Sequence, residues 1–227
     1  IVFLIYLVTL LPVRIYMQYI NKLPPHRQSL SEKILQTALC AFKSQGIRVV
    51  KMDDIAKRLS ISKRTLYEVF SNKEDLLFEV VKREKQQTRD FMIDLAAHNS
   101  NVMEQIIAFY KIKAEELRTT NAAFYEDIHR YPRIIRFLKS QHENSADSAR
   151  AFFQKGVDDG YFRADVNYDI VSLMAEVEVN YTMSSKFYKK FSLLDIYKSI
   201  VLVSIRGFCT PKGLKMLEEH IEKNTKI

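Results

Sequence analysis

Apolar residues recur at helical spacing along most of this chain. Met52, Ile55, Ala56 and Leu59 fall at i, i+3, i+4 and i+7 and form one stripe on a short helix. Leu59-Ser60-Ile61-Ser62 interrupts the stripe, with Ile61 as an apolar plug and Ser62 as the N-cap of a second short helix. That helix turns Leu66, Val69 and Phe70 inward and leaves Lys63, Arg64, Thr65 and Tyr67 facing out. Upstream, Ser29-Leu30-Ser31-Glu32 is a capping box opening a helix whose inner face is Ile34, Leu35, Ala38, Leu39 and Phe42, with Gly46 as its stop. Downstream, Ser71-Asn72-Lys73-Glu74 is a second capping box, starting a helix through Leu76, Leu77, Val80 and Val81 to about Leu95. Further helices are predicted over 101–118, 121–130, 132–158, 167–190, 192–209 and 211–223, with VDDGYFRADVN as a connector. Period-2 runs are scarce, so the predicted fold is all-α.

Two short helices joined by a tight break, with cations and hydroxyls crowding the start of the second, describe a helix-turn-helix. The charge distribution supports a polyanionic partner at that end. The net charge is +8. Residues 1–28 hold Arg14, Lys22 and Arg27 and no acid, and residues 29–75 hold nine cations against six acids. The body beyond is close to neutral. The expected organisation is an N-terminal extension over 1–28, a DNA-binding domain over 29–75, and a helical ligand-binding and dimerisation domain over 76–227.

The run ILQTALCAFKSQGIRVVKMDDIAKRLSISKRTLYEVFSNKEDLL resembles the N-terminal domain of the TetR family of transcriptional regulators. The matching residues are Ala38, Phe42, Gly46, Ile55, Ala56, Ser62, Thr65-Leu66-Tyr67, Phe70, Lys73 and Leu76. Three positions depart from the family's habit: Ser60 replaces the usual turn Gly, Lys51 the usual Ser or Thr cap, and Arg64 a frequent Gly or Ala. The resemblance implies a three-helix DNA-binding domain joined by a long helix to a regulatory bundle, acting as a homodimer on a palindromic operator in double-stranded DNA. Its implied DNA-binding set is Lys51, Ser62, Lys63, Arg64, Thr65, Tyr67 and Lys73. Lys63, Arg64 and Thr65 fall to base edges, Tyr67 and Lys73 to phosphates, and Lys51 and Arg27 are further phosphate candidates. The family dimerises through its penultimate long helices, which puts Ile170, Val177, Ile200, Val201 and Ile205 at the interface. It also implies a pocket for a small apolar or amphipathic ligand that releases the repressor. Phe109, Tyr110, Phe124, Tyr125, Phe152, Met174 and Tyr181 are the large side chains available to line it, with core packing as the competing role.

Catalytic chemistry finds no support. The chain has no G-x-S-x-G, H-E-x-x-H or phosphate-binding glycine loop, and its five histidines are scattered. No enzyme activity, metal or cofactor is expected. Cys40 and Cys209 lie in apolar helical patterns, as buried thiols of a cytoplasmic protein do. Residues 1–13 are apolar but too short for a membrane span and are interrupted by Pro12. They are expected to be an upstream extension, with the natural start nearer Met17, or else a short helix docking on the body or a membrane surface. Two other functions stay open: a DNA-binding regulator or chromosome-associated factor without a small ligand, and a lipid-binding module or enzyme whose helix-turn-helix is incidental.

Overall fold

The computed structural model describes residues 29–98, 101–143 and 146–225, so the extension over 1–28 and Arg27 lie outside the described residues. Ser29 accepts the Glu32 N–H at 3.2 Å and starts α1 (Leu30–Gln45) where the capping box placed it. The Glu32 carboxylate pairs with Arg83. Then come α2 (Met52–Arg58), α3 (Lys63–Val69), α4 (Lys73–His98), α5 (Val102–Thr119), α6 (Ala122–Ile128), α7 (Pro132–Glu143), α8 (Ala146–Asp158), α9 (Tyr168–Ser184), α10 (Leu193–Phe208) and α11 (Pro211–Thr225). Among the described residues the only β-type pairing is a single antiparallel bridge between Phe162 and Cys209. The all-α reading holds.

Three boundaries differ from the predicted ones. The cap of α4 is Asn72, not Ser71: its side chain accepts the Asp75 N–H at 2.9 Å and donates to the Asp75 carboxylate at 2.8 Å. The span 132–158 is described as two helices, with residues 144–145 outside the described residues. The helix predicted over 167–190 stops at Ser184, because Lys186 takes a left-handed backbone (φ 55°) and opens a 3₁₀ turn at Phe187–Lys189. The Ser184 and Ser185 hydroxyls donate back to the Tyr181 carbonyl and help close that end.

The described residues divide into two compact units, one running to Thr88 and including 115–139, the other comprising 89–114 and the chain from 140 on. The unit around the helix-turn-helix is therefore larger than the 29–75 block read from the sequence. Ile34, Leu35, Ala38, Leu39 and Phe42 of α1 are buried as predicted. They share one core with Leu66 and Phe70, with Leu76, Leu77, Val80 and Val81 of α4, and with Phe124, Ile128, Ile134 and Leu138. Burial of each such side chain is worth about 1.5–3 kcal/mol. Gly46 ends α1 at φ 91°, and a Cβ there would lie 2.9 Å from Ala123 Cβ, so both backbone and contact require glycine.

A charged group sits inside this core. Lys43 is buried, with Nζ 3.0 Å from Glu84 Oε1 and 3.4 Å from Glu116 Oε1, and the Tyr125 hydroxyl donates to Glu116 at 2.9 Å. Burial pulls the ammonium down, but the Glu116 and Glu84 carboxylates outweigh it and hold Lys43 above its ordinary range. Burial, and then Glu116, pushes the Tyr125 phenol well up.

The second unit is knitted by rings. Phe153 stacks on Tyr168 at 4.5 Å and meets Phe162 and Phe208 at about 6 Å, while Tyr110 stacks on Tyr197. A Cβ on Gly156 would fall inside the Phe162 ring, so this glycine lets the connector close onto α8.

The turn between α2 and α3 sets the pose of the recognition helix. Leu59 N–H closes on the Ile55 carbonyl, Ile61 N–H on Ala56, and Ser60 takes φ 55°. A left-handed residue with a Cβ costs roughly 1–2 kcal/mol. Ser60 thus carries the strain expected where the family has glycine.

Two outcomes follow from these features. Lys43→Met should destabilise the fold by about 3–5 kcal/mol in chemical denaturation, since it leaves two buried carboxylates without their cation. Ser60→Gly should stabilise the fold in chemical denaturation, by up to about 1 kcal/mol once the glycine's extra chain entropy is subtracted.

Candidate nucleic-acid interface

The outward face of α3 carries Lys63, Arg64, Thr65 and Tyr67 of the predicted DNA-binding residues, with Lys51 and Ser62 at the caps of α2 and α3 and Lys73 at the start of α4. Ser62 caps α3 as expected, accepting the Thr65 N–H at 3.0 Å and sharing a hydroxyl hydrogen bond with Thr65 at 2.8 Å. Leu66 and Phe70 point into the core. Val69 does not: it is 37% exposed, because a helix of seven residues anchored at 66 and 70 turns position 69 away from the core. Lys63, Arg64 and Tyr67 are exposed and Thr65 is half-buried.

Lys63 and Arg64 of this face are held in ion pairs. Lys63 Nζ lies 2.9 Å from Asp53 Oδ1 and 3.0 Å from Oδ2, and the hydrogen bond to Asp53 holds the ammonium above its usual range. Arg64 Nε donates to Glu68 Oε1 at 2.9 Å. Lys51 begins α2 without a side-chain cap, as a residue with no acceptor must, and the Asp54 carboxylate takes its N–H instead at 2.9 Å. Lys73 is half-buried and donates to the Arg48 carbonyl at 3.2 Å; burial pulls its ammonium down against Asp127 and Asp54.

Asp127 is the contributor that sequence reasoning missed. It is buried on α6, and its carboxylate accepts the Arg48 N–H at 2.7 Å, while the Asn121 N–H donates to the Lys43 carbonyl at 2.8 Å. These bonds fix the 46–51 loop that leads into α2. No local pattern signals them, since 79 residues separate Asp127 from Arg48. Glu68, four residues beyond Arg64 on a helix, was legible as an ion-pair partner.

The seven residues considered for a ligand pocket divide between the two units. Phe124 and Tyr125 belong to the core of the helix-turn-helix unit, as core packing required. In the other unit, Phe109 is buried, Tyr110 stacks on Tyr197, and Phe152 packs on Phe153 and Phe162. Met174 and Tyr181 are exposed. Of the seven only Met174 lines the cavity of about 290 Å³ between α9 and α10, whose other walls include Ile170, Ala175, Val201 and Phe208. Glu178 also borders it, and burial holds its carboxyl above the usual range.

The residues considered for the dimer interface separate into two sets. Ile170 and Val177 are exposed and continue with Leu173, Met174 and Tyr181 into one apolar stripe on α9. Ile200 is half-buried. Val201 and Ile205 are 1% exposed: they lie on the face of α10 that also carries Tyr197 and Phe208, and so pack inside the protomer. The exposed apolar residue of α10 is Val203, at 68%. Cys40 and Cys209 are free thiols, both pushed up by burial, Cys209 to about 12. Among the described residues no helix is long and apolar enough to cross a membrane, and no group of three or more His, Cys, Asp or Glu could hold a metal ion.

The sequence pattern of the family described as "Bacterial regulatory proteins, tetR family" matches residues 34–80. The HTH-type transcriptional repressor KstR2 of Mycobacterium tuberculosis is 22% identical over 145 residues, which cover 61% of this chain and 72% of the relative. Its structure, described as a ketosteroid transcriptional regulator, superposes with a TM-score of 0.51 at 17% identity, covering 80% of this chain and 96% of that one. A TetR-family regulator from Marinobacter aquaeolei gives a TM-score of 0.63 at 22% identity, over 86% of this chain and 98% of that one. A transcriptional regulator from Saccharomonospora viridis, solved with choline, gives 0.62 at 18% identity over 79% and 97%. At these identities the superpositions speak for the fold, a helix-turn-helix domain with a helical bundle. The family pattern lies on the same helices that present Lys63, Arg64 and Tyr67, and residues 34–80 carry the DNA-binding domain of the TetR family of transcriptional regulators.

Proposed function

We propose that this regulator is a cytoplasmic homodimeric repressor that holds a palindromic operator and leaves it when a small apolar or amphipathic ligand binds. The observation that carries the DNA half is the exposed N-terminal turn of α3, with Lys63, Arg64 and Tyr67 outward over a buried Leu66 and Phe70. In such a motif this turn enters the major groove, where Arg reads guanine and hydroxyls reach phosphate. No part of that role calls for catalysis.

The dimer half rests on the α9 stripe Ile170, Leu173, Met174, Val177 and Tyr181 together with Val203 of α10. An apolar face of this kind is what a second copy of the chain covers in a two-fold assembly. Two recognition helices then address half-sites about one helical turn apart. For the ligand, the support is the ketosteroid and choline associations of the two relatives and the apolar cavity between α9 and α10. The ligand must bind the conformer that does not fit DNA more tightly, or no release follows. The filled packing around Phe109, Phe124 and Phe152 favours a second reading, a regulator that answers to something other than a small molecule.

Genomic footprinting in the host should recover inverted-repeat sites; a motif made of a single half-site would overturn the dimer reading. Val203→Glu should give a protomer-sized species by light scattering with an unchanged melting curve. Val201→Glu should lower the melting point instead, because it buries a charge within the protomer. Tyr67→Phe should weaken binding to operator and to random duplex alike, by about threefold to tenfold, as loss of one phosphate hydrogen bond does.

A further inference from the structure

The recognition surface carries its own anions. Asp53 stands in the first turn of α2 and grips Lys63 with both carboxylate oxygens; Glu68 stands one turn along α3 and grips Arg64. All four side chains are substantially exposed, so neither pair is needed to satisfy a buried charge. The helix-turn-helix presents α3 to the major groove and lays the preceding helix across the phosphate backbone. Both carboxylates therefore ride into the strongest negative field that the protein meets.

We infer that Asp53 and Glu68 are specificity-determining residues, which withhold Lys63 and Arg64 from phosphates of arbitrary sequence and release them only at base edges of the operator. This rests on the DNA-binding reading above.

The argument is one of differences. Non-specific binding draws on phosphate neutralisation alone. A cation whose charge is already met by a neighbouring carboxylate gains little there, and its carboxylate is repelled. At a matching base pair the balance changes. Arg64 can donate to guanine O6 and N7, and a freed Glu68 carboxylate can accept from a cytosine amino group. Each member of the Arg64–Glu68 pair then finds a partner of its own. The acids thus weaken every complex, but weaken the wrong ones more, as repulsive elements in specific interfaces do. Lys51, Lys57 and Arg58, for which no such pairing is seen among the described residues, are left to supply the sequence-independent attraction.

The test compares the full-length wild type with Asp53→Asn and Glu68→Gln on two duplexes, one carrying the site selected by the wild type and one of random sequence, across a salt series. Each variant should bind the random duplex about threefold to tenfold more tightly at low salt. The log–log salt slope should steepen by about one. The ratio of operator to random affinity should fall. In an Arg64→Ala background the Glu68→Gln gain should shrink, since Glu68 acts through Arg64. Melting curves matching wild type would place the effect in binding and not in folding. Variants with wild-type affinity, slope and ratio would overturn this inference alone. A wild type with no salt-dependent duplex binding would overturn the DNA-binding reading and this inference with it.

Discussion

An ammonium group inside an apolar core cannot stand by itself. Transfer of an unpaired charge into such a medium costs far more than any single packing contact returns. The burial of Lys43 therefore dictates what must surround it. Glu84 of α4 and Glu116 of α5 have to be there together, and Tyr125 of α6 donates its hydroxyl to one of them. Apolar contacts tolerate a helix that slides by a fraction of a turn. A three-membered ionic cluster with hydrogen-bond distances does not. Within the helix-turn-helix unit this cluster fixes how α1, the start of α4, the end of α5 and α6 meet, and α1 is the platform on which α2 and α3 are mounted.

The sequence was most legible where the physics is local. The capping residue at Ser29, the stop at Gly46, the plug at Ile61 and the cap at Ser62 act within four residues of themselves, and each stands where periodicity and turn chemistry put it. Leu66 and Phe70 followed from helical spacing. Position 69 failed because spacing alone cannot fix the roll of a two-turn helix. Between Ile200 and Ile205 of α10 every residue but Ser204 is apolar, so periodicity could not tell the inward face of Val201 and Ile205 from the outward one of Val203. The ion pair of Lys63 with Asp53 spans two helices, and the bond of Asp127 to Arg48 spans most of the unit. Both depend on tertiary placement that no window of sequence contains.

The candidate site shows the same division. Residue types along α3 named the side chains expected to face DNA, and Lys63, Arg64 and Tyr67 among them are on the surface. What the types did not disclose is that this surface is arranged as paired charges, so its field is weaker than a count of cations suggests. Net charge describes attraction at a distance; the pairing of individual groups describes what happens on contact.

The bonds from Asn121 and Asp127 to the 43–48 stretch bear on the chain's modularity. Regulators of this architecture look like a reader fused to a sensor, as though the two could be parted by cutting anywhere along the linking helix. Here the reader is discontinuous. A graft of residues 29–88 onto a foreign body would expose Phe124's side of the core and strand Lys43 without Glu116, while the backbone entering α2 would lose its anchor. Any exchange of the other unit that keeps this reader intact must carry 115–139 along with it, so recombination among relatives is constrained to three crossover points and not one.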